Sequence, residues 1–465
     1  MPNSNTQQAV ITRPVSLPNQ SVFDLSKLHE LNSETYPFLL ESVAKGALGE
    51  FDILFAYPQE TLQLNDLADK DRFIEQANRA FSENLIDSTE LSQQLPFTGG
   101  WFSYFSYDYA EVVEPVLNLP KAEFPLAVLT RIPAAVIIDH VNHQMTLVAE
   151  TEYAHLLDEM ESDVLQALEL RSHFETITPL KTTEEPESKY LNGVKDIKEY
   201  ILSGDIFQVN ISREWLVELE KETDYLSVYR ALCHHNPAPF AALANFQDVD
   251  GKPWKVISSS PERLVKYQAP WVETRPIAGT RKRSEDLAAD KALIKELISH
   301  PKERAEHIML IDLERNDLGR ICQPGSVEVN ELMVIETYEH VHHIVSNVRG
   351  KLQDNMSPLE IIHAVFPGGT ITGCPKIRCM EIIAELEQMP REAYTGSLGY
   401  INRDGSLDLN ILIRTMMFFE QKGLPMVKFR AGAGIVADSE AESELTESRH
   451  KAKGLVNALM NPVKV

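Results

Sequence analysis

Two pairs of glutamates, Glu303/Glu306 and Glu444/Glu447, each have the spacing that puts both side chains on one face of a helix. They stand far apart in the chain, in KERAEHIMLIDLERNDLGRIC and in AGAGIVADSEAESELTESRHKAKG. A fold that brings the two helices together sets four carboxylates around one point. Oxygen donors with water filling the remaining shell suit Mg²⁺, which commonly bridges to an anionic ligand. Either pair alone is more often a solvated helix face. The apolar run IMLIDL after the first pair and the Gly-rich turn AGAGI before the second favour a site.

Charge excludes several partners. The formal net charge of −25 argues against nucleic acid and against an anionic membrane surface, and no basic tract opposes that reading. The four cysteines, Cys233, Cys322, Cys374 and Cys379, form no C-x-x-C and no zinc-finger spacing with His. Free thiols in a reducing cytoplasm are expected. The first twenty residues lack an apolar signal core and no long apolar run follows, so a cytoplasmic protein with no membrane span is expected.

Residues 1–171 mix short β-rich runs, such as 51–56, 100–105 and 134–138, with helical stretches, the longest at about 154–170. The polar, proline-containing stretch 172–189 reads as a linker or an exposed crossing. Residues 190–465 hold most of the motifs. Val194, Ile197 and Ile201 give a helix stripe that Gly204 ends. A strand at Ile206–Ser212 places Phe207, Val209 and Ile211 on one face and Ile206, Gln208 and Asn210 on the other. Irregular alternation of helices and β-runs indicates an α+β fold.

Several residues in this half are suited to chemistry. His343 lies among His340 and His342 in a strand-like run, which leaves structural and acid–base roles equally open. The segment Phe366–Lys376 is a Gly-rich turn entering a helix, able to present N–H groups to an anion, with Lys376 adding charge. It lacks the Walker A spacing. A second Gly-rich segment, Lys428–Ser439, reads as a strand followed by a turn whose Gly432 and Gly434 let a ligand approach the main chain. Arg414 sits in an apolar strand and needs an anion there, from either a protein carboxylate or a ligand. Acids holding a metal, one guanidinium, two anion cradles and a histidine suit a small dicarboxylate. Its leaving group would need Lewis-acid or general-acid help.

The blocks GDIFQVNISRE, RPIAGTRKR, AEHIMLIDLERNDLGRIC, YEHVHHIVSNVRG, FPGGTITGCPKIRCMEII, YTGSLGY, LNILIRT and AGAGIVADSEAESELTES resemble, in order, the chorismate-utilising enzymes. These are the anthranilate, aminodeoxychorismate, isochorismate and salicylate synthases. LLESVAKG, FDILFAYP and GGWFSYFSYDYAE extend the resemblance towards the amino-transferring members. The resemblance implies one α+β unit, with two large packed antiparallel sheets and helices outside. It implies Glu306 and Glu447 as direct Mg²⁺ ligands, with Glu303 and Glu444 binding directly or through water, and the metal holding the ring carboxylate of chorismate. Arg414, Tyr394 and the backbone of Gly432, Ala433 and Gly434 would take the enolpyruvyl carboxylate. Ala278 and Gly279 would join the substrate-binding set, Thr370 would lie near the ring, and His343 near the leaving hydroxyl.

Gln208 stands where the isochorismate and salicylate synthases resemble one another in carrying a lysine that activates water. Glutamine is a poor base, so ammonia is the expected nucleophile. Ala278 matches the anthranilate synthases, whereas many aminodeoxychorismate synthases carry a nucleophilic lysine there, and alanine cannot attack. His342-His343, FDILFAYP, GGWFSYFSYDYAE and LDLNILIRT look more like the aminodeoxychorismate synthases. The expectation is Mg²⁺-dependent amination of chorismate to 4-amino-4-deoxychorismate, by direct attack or by way of an amine such as Lys376. Anthranilate formation is the alternative. A catalytically dead regulatory subunit disagrees with the presence of Glu306, Glu447, His343 and Arg414. No cysteine sits on a Gly-x-Cys-x-Gly elbow, so a separate glutamine amidotransferase subunit is expected to supply the ammonia.

Overall fold

A computed structural model describes residues 9–16, 23–44, 49–88, 90–170, 176–284, 286–338 and 341–460. Most of the N-terminal stretch 1–20, His340, and residues 172–175 of the expected linker lie outside these segments.

The expected fold class holds. The described strands form a 12-stranded and a 10-stranded sheet, every pairing antiparallel, with helices packed on the outer faces. Early and late strands interleave. Phe38–Glu41 pairs with Phe240–Gln247 in the larger sheet. Gly100–Phe105 pairs with Ser397–Asn402 in the smaller one. Residues from both ends of the chain therefore share both sheets.

The two sheets meet through aromatic side chains. Phe38 of the larger sheet stacks on Phe102 of the smaller at a centroid separation of 4.1 Å, and Phe55, Tyr104, Phe246 and Trp254 fill the same layer. Phe102 is fully enclosed. Phe102→Ala leaves a cavity that packed neighbours cannot close, so a loss of about 3–5 kcal/mol is expected. Urea unfolding with a lowered midpoint and an unchanged slope checks it.

Two expectations are corrected. Pro179–Glu184, inside the stretch 172–189, is a strand paired with Trp215–Leu219, and a helix begins at Glu187. The strand reads as a linker because most of its side chains are exposed, so it carries no apolar alternation. The strand expected from Ile206 begins at Gln208. Gly204 caps the preceding helix with φ +84°, and the Phe207 amide donates to the carbonyl of Cys374 in the short edge strand Gly373–Cys374, while pairing with Leu424–Ile435 starts only at Val209. Ile206 is thereby buried and Phe207 left exposed, the reverse of a simple alternation. Val209 and Ile211 do share one buried face. The cysteines are free thiols, and among the described residues no helix is long and apolar enough to cross a membrane.

Candidate active site

The strand Val341–Lys351 carries His343, and the strand Ile277–Lys282 beside it carries Ala278 and Gly279. Their register shifts between Ala278 and Thr280, where Gly279 takes φ +64°. A side chain at Gly279 would meet Glu303: an added Cβ would lie 2.7 Å from its Oε2. The bulge thus makes room for the first acid of the helix Pro301–Gly319. Past the bulge, Thr280 Oγ1 lies 2.9 Å from His343 Nδ1. Burial, then the Arg414 guanidinium, push the His343 pKa down to about 4, against Glu336 and the Gly279 carbonyl. His343 is therefore a neutral imidazole at neutral pH.

Arg414 donates to Asn236 Oδ1 at 3.1 Å and has no carboxylate partner among the described residues. Burial holds its pKa below the ordinary value, opposed by the nearby Tyr394 phenol. Of the two anion sources open to it, the protein one is missing. Tyr394 is buried, and Arg391 lies 5.5 Å from its ring.

Gln208 opens the strand Gln208–Leu219 and donates from Nε2 to Glu306 Oε1 at 2.9 Å. Asn210 pairs opposite Gly434, and an added Cβ on Gly434 would fall 2.5 Å from Gln208 Nε2. The absence of a side chain at Gly434 is what admits the amide. The expected turn at Gly432–Gly434 is corrected: both glycines, with Ala433 between them, lie inside the strand Leu424–Ile435. Gly432 is there because a Cβ would sit 2.0 Å from the Ile211 carbonyl oxygen of the next strand.

The turn at Phe366–Pro375 does enter a helix, Lys376–Glu387. Lys376 is corrected from a free amine to an ion-pair member: its Nζ lies 2.5 Å from Asp317 Oδ2 and 3.2 Å from the Val365 carbonyl. An ammonium paired in this way has no lone pair to attack with. Thr370, in the same turn, has a hydroxyl with no well-formed hydrogen bond and faces Glu262.

Glu262 was not singled out from the sequence. It follows the buried serines of the strand Pro253–Ser260, is 5% exposed, and its Oε1 has no hydrogen-bond partner. Burial raises its pKa to about 7, moderated by the Thr370 hydroxyl, the Ile277 amide and Lys451. A carboxylic acid of that strength is suited to giving up a proton near neutral pH. The only sequence cue was a charged residue directly after a Ser-Ser-Ser-Pro run.

The four acids each have surroundings of their own. Arg281 Nη1 lies 3.2 Å from Glu303, Gln208 holds Glu306, and Lys451 lies 2.8 Å from Glu447. Glu444 is buried, and both Glu444 and Glu447 lie close enough to the Tyr190 phenol to raise its pKa. Among the described residues no three His, Cys, Asp or Glu side chains gather closely enough to form a ready metal cluster. The donor chemistry, carboxylate oxygen throughout, fits Mg²⁺. Arg281 and Lys451 supply positive charge to two of the carboxylates.

A separate cavity lies between the sheets, lined by residues including Leu40, Glu41, Arg263, Tyr267 and Tyr400. None of the site residues above lines it.

Residues 35–457 match the chorismate binding enzyme family. The anthranilate synthase component I-like protein of Synechocystis sp. is 43% identical over 381 residues, 79% of this chain and 74% of that protein. Aminodeoxychorismate synthase component 1 of Bacillus subtilis is 41% identical over 387 residues, 80% of this chain and 79% of its own. The crystal structure of anthranilate synthase component I from Streptococcus pneumoniae superimposes with a TM-score of 0.73 at 29% identity, covering 88% of this chain and 93% of the other.

Proposed function

This chain belongs to the chorismate binding enzyme family, and we propose that within it the protein aminates chorismate to 4-amino-4-deoxychorismate with ammonia from a glutamine amidotransferase partner. The observation that carries this reading is Gln208. Its amide is committed to Glu306, and no lysine stands there to take a proton from water. Ammonia needs no such base.

Arg414 and Tyr394, with the main chain of Gly432, Ala433 and Gly434, seat the enolpyruvyl carboxylate. The unpaired guanidinium supports that role. Mg²⁺ bound by Glu303, Glu306, Glu444 and Glu447 would supply Lewis-acid hold on the ring carboxylate. Ammonia attacks the ring directly, since Ala278 has no nucleophile and Lys376 is paired with Asp317. Glu262 gives its proton to the departing hydroxyl, which leaves as water. The new C–N bond carries an ammonium that then loses a proton. His343 stays neutral beside the leaving group, held by Thr280. Ala278 favours a second reading, anthranilate formation, because it matches the anthranilate synthases.

Incubating the purified chain with chorismate and ammonium salt, with and without Mg²⁺, separates the readings. The expected result is p-aminobenzoate only after a lyase is added, and only with Mg²⁺. Fluorescent anthranilate formed without a lyase would overturn the assignment.

A further inference from the structure

The loop that carries Tyr394 is held in a shape it would not keep alone. Glu392 and Thr395, on either side of Tyr394, have φ of +52° and +63°. Residues other than glycine hold such angles where their surroundings impose them. Here the surroundings include a buried charge cluster that no step above uses. Arg391, Glu387 and Arg430 are 3%, 4% and 3% exposed. Arg391 grips both oxygens of Glu387, from Nε to Oε2 at 3.0 Å and from Nη2 to Oε1 at 2.6 Å. Arg430 Nη2 donates to Oε2 at 3.0 Å, and the Ser212 amide and hydroxyl donate to Oε1 at 2.8 and 2.9 Å. A buried carboxylate bonded on so many sides is a fixed point for whatever is tied to it.

From that point Arg391 reaches three more segments. Nη2 donates to the Asn210 carbonyl at 2.8 Å, and Nη1 donates to the Ile371 carbonyl at 3.2 Å and to Thr395 Oγ1 at 3.4 Å. Asn210 is paired opposite Gly434, and Arg430 precedes Gly432 by two residues on the same strand. The Thr395 hydroxyl in turn donates to the Tyr394 carbonyl at 2.5 Å, and the guanidinium lies 5.5 Å from the Tyr394 ring. The five bonds use the five N–H groups of the guanidinium, which has none left for a ligand.

We propose that Arg391 is a positioning residue for the enolpyruvyl seat, tying the Tyr394 loop to the strand opposite Gly434 so that both walls reach one carboxylate. This rests on the reading of Tyr394, Arg414 and the main chain of Gly432–Gly434 as that seat. Arg391 touches no substrate and acts through Tyr394. Lysine in its place keeps the charge against Glu387. Its single nitrogen has three N–H groups and no planar fork, so it cannot hold both oxygens of Glu387 and the Asn210, Ile371 and Thr395 acceptors together. The charge pair survives and the span between the two walls is lost.

The test uses the full chain with chorismate, Mg²⁺ and ammonium salt, and the variants Arg391→Lys, Tyr394→Phe and the two combined. Arg391→Lys is expected to raise the chorismate KM roughly 10-fold, with kcat within about threefold, because a misplaced wall weakens the hold on the substrate. Tyr394→Phe is expected to raise KM roughly 10-fold as well, through the lost bond to a charged group. The combined variant should be little worse than either single one, since both changes disable the same wall. Effects on KM that multiply would overturn the proposal. So would an unchanged KM in Arg391→Lys accompanied only by a lower melting temperature, the mark of a purely structural cluster. If Arg391→Lys does not fold, Ser212→Ala decides. It leaves both arginines and Glu387 in place and removes one bond from each end of the cluster. A KM raised about threefold at unchanged kcat supports the proposal, and an unchanged KM overturns it. Should Tyr394→Phe and Arg414→Met both keep the wild-type KM, the seat itself is misassigned and the proposal falls with it. A raised KM in those two and a wild-type KM in Arg391→Lys would sink the proposal alone.

Discussion

Glu262→Gln is expected to lower kcat by about 10²–10⁴-fold, the usual weight of a positioned general acid, while leaving chorismate binding nearly intact. The amide keeps the shape of the carboxyl and removes its proton. His343 cannot substitute as a cationic acid, because burial and Arg414 keep it neutral above about pH 4. In the wild type the acid must be protonated, so kcat holds below about pH 7 and falls above it. The same group ties stability to pH. Its folded pKa is raised from 4.5 to about 7, so its contribution is fully present below 4.5 and is lost as pH rises through about 7. A shift of that size amounts to about 3 kcal/mol. Glu262→Gln carries no such charge, so it should gain on the wild type by that order between acid and mildly alkaline conditions. Rate profiles and urea unfolding at both pH extremes check the two halves. A variant with wild-type kcat and a wild-type pH dependence of unfolding would refute both.

Arg414→Met is expected to raise KM strongly and to stabilise the fold. A half-buried guanidinium with only one amide oxygen bears a desolvation penalty with no protein anion among the described residues to offset it. If the enolpyruvyl carboxylate is that anion, removing the cation costs about 2–5 kcal/mol of binding, or roughly 30-fold to several thousand-fold in KM. The apolar replacement fills similar space and lifts the penalty, for a gain on the order of 1–4 kcal/mol. Residue 414 has φ +54°, and Met meets the same backbone cost there as Arg, so strain does not change the sign. Chorismate saturation curves and thermal unfolding of the ligand-free protein measure the two effects. An unchanged KM, or a lower melting temperature, would mean that Arg414 serves structure and not substrate.

What was legible in the sequence was local. The three-residue spacing of Glu303/Glu306 and Glu444/Glu447 marks two helix faces, and both pairs do lie on helices. The alternation of Val209 and Ile211 marks a strand. Lys451 follows Glu447 by one helical turn, so that ion pair could be read directly. Contacts made by distant segments were not legible. The Arg281–Glu303 pair depends on a bulge at Gly279, and the Lys376–Asp317 pair joins two helices. Gly432 and Gly434 suggested a turn because glycine more often ends regular structure than occupies it. Their reason for being there, the nearness of the Ile211 carbonyl and the Gln208 amide, exists only once two strands are side by side. Glu262 carried no periodic signal, since what distinguishes it is the burial around it.

Phe38–Glu41 finds its neighbour in Phe240–Gln247, and Gly100–Phe105 waits for Ser397–Asn402. During synthesis each of the two early strands can pair on one side at once, with Phe51–Ala56 and Ala127–Ile132 respectively, but its other edge stays open on the ribosome until the later segment has emerged. Closing such long loops is slow and leaves sticky edges uncovered in the meantime. Assembly of this protein can thus start in its front half but is completed only when the back half arrives to cover the two open borders.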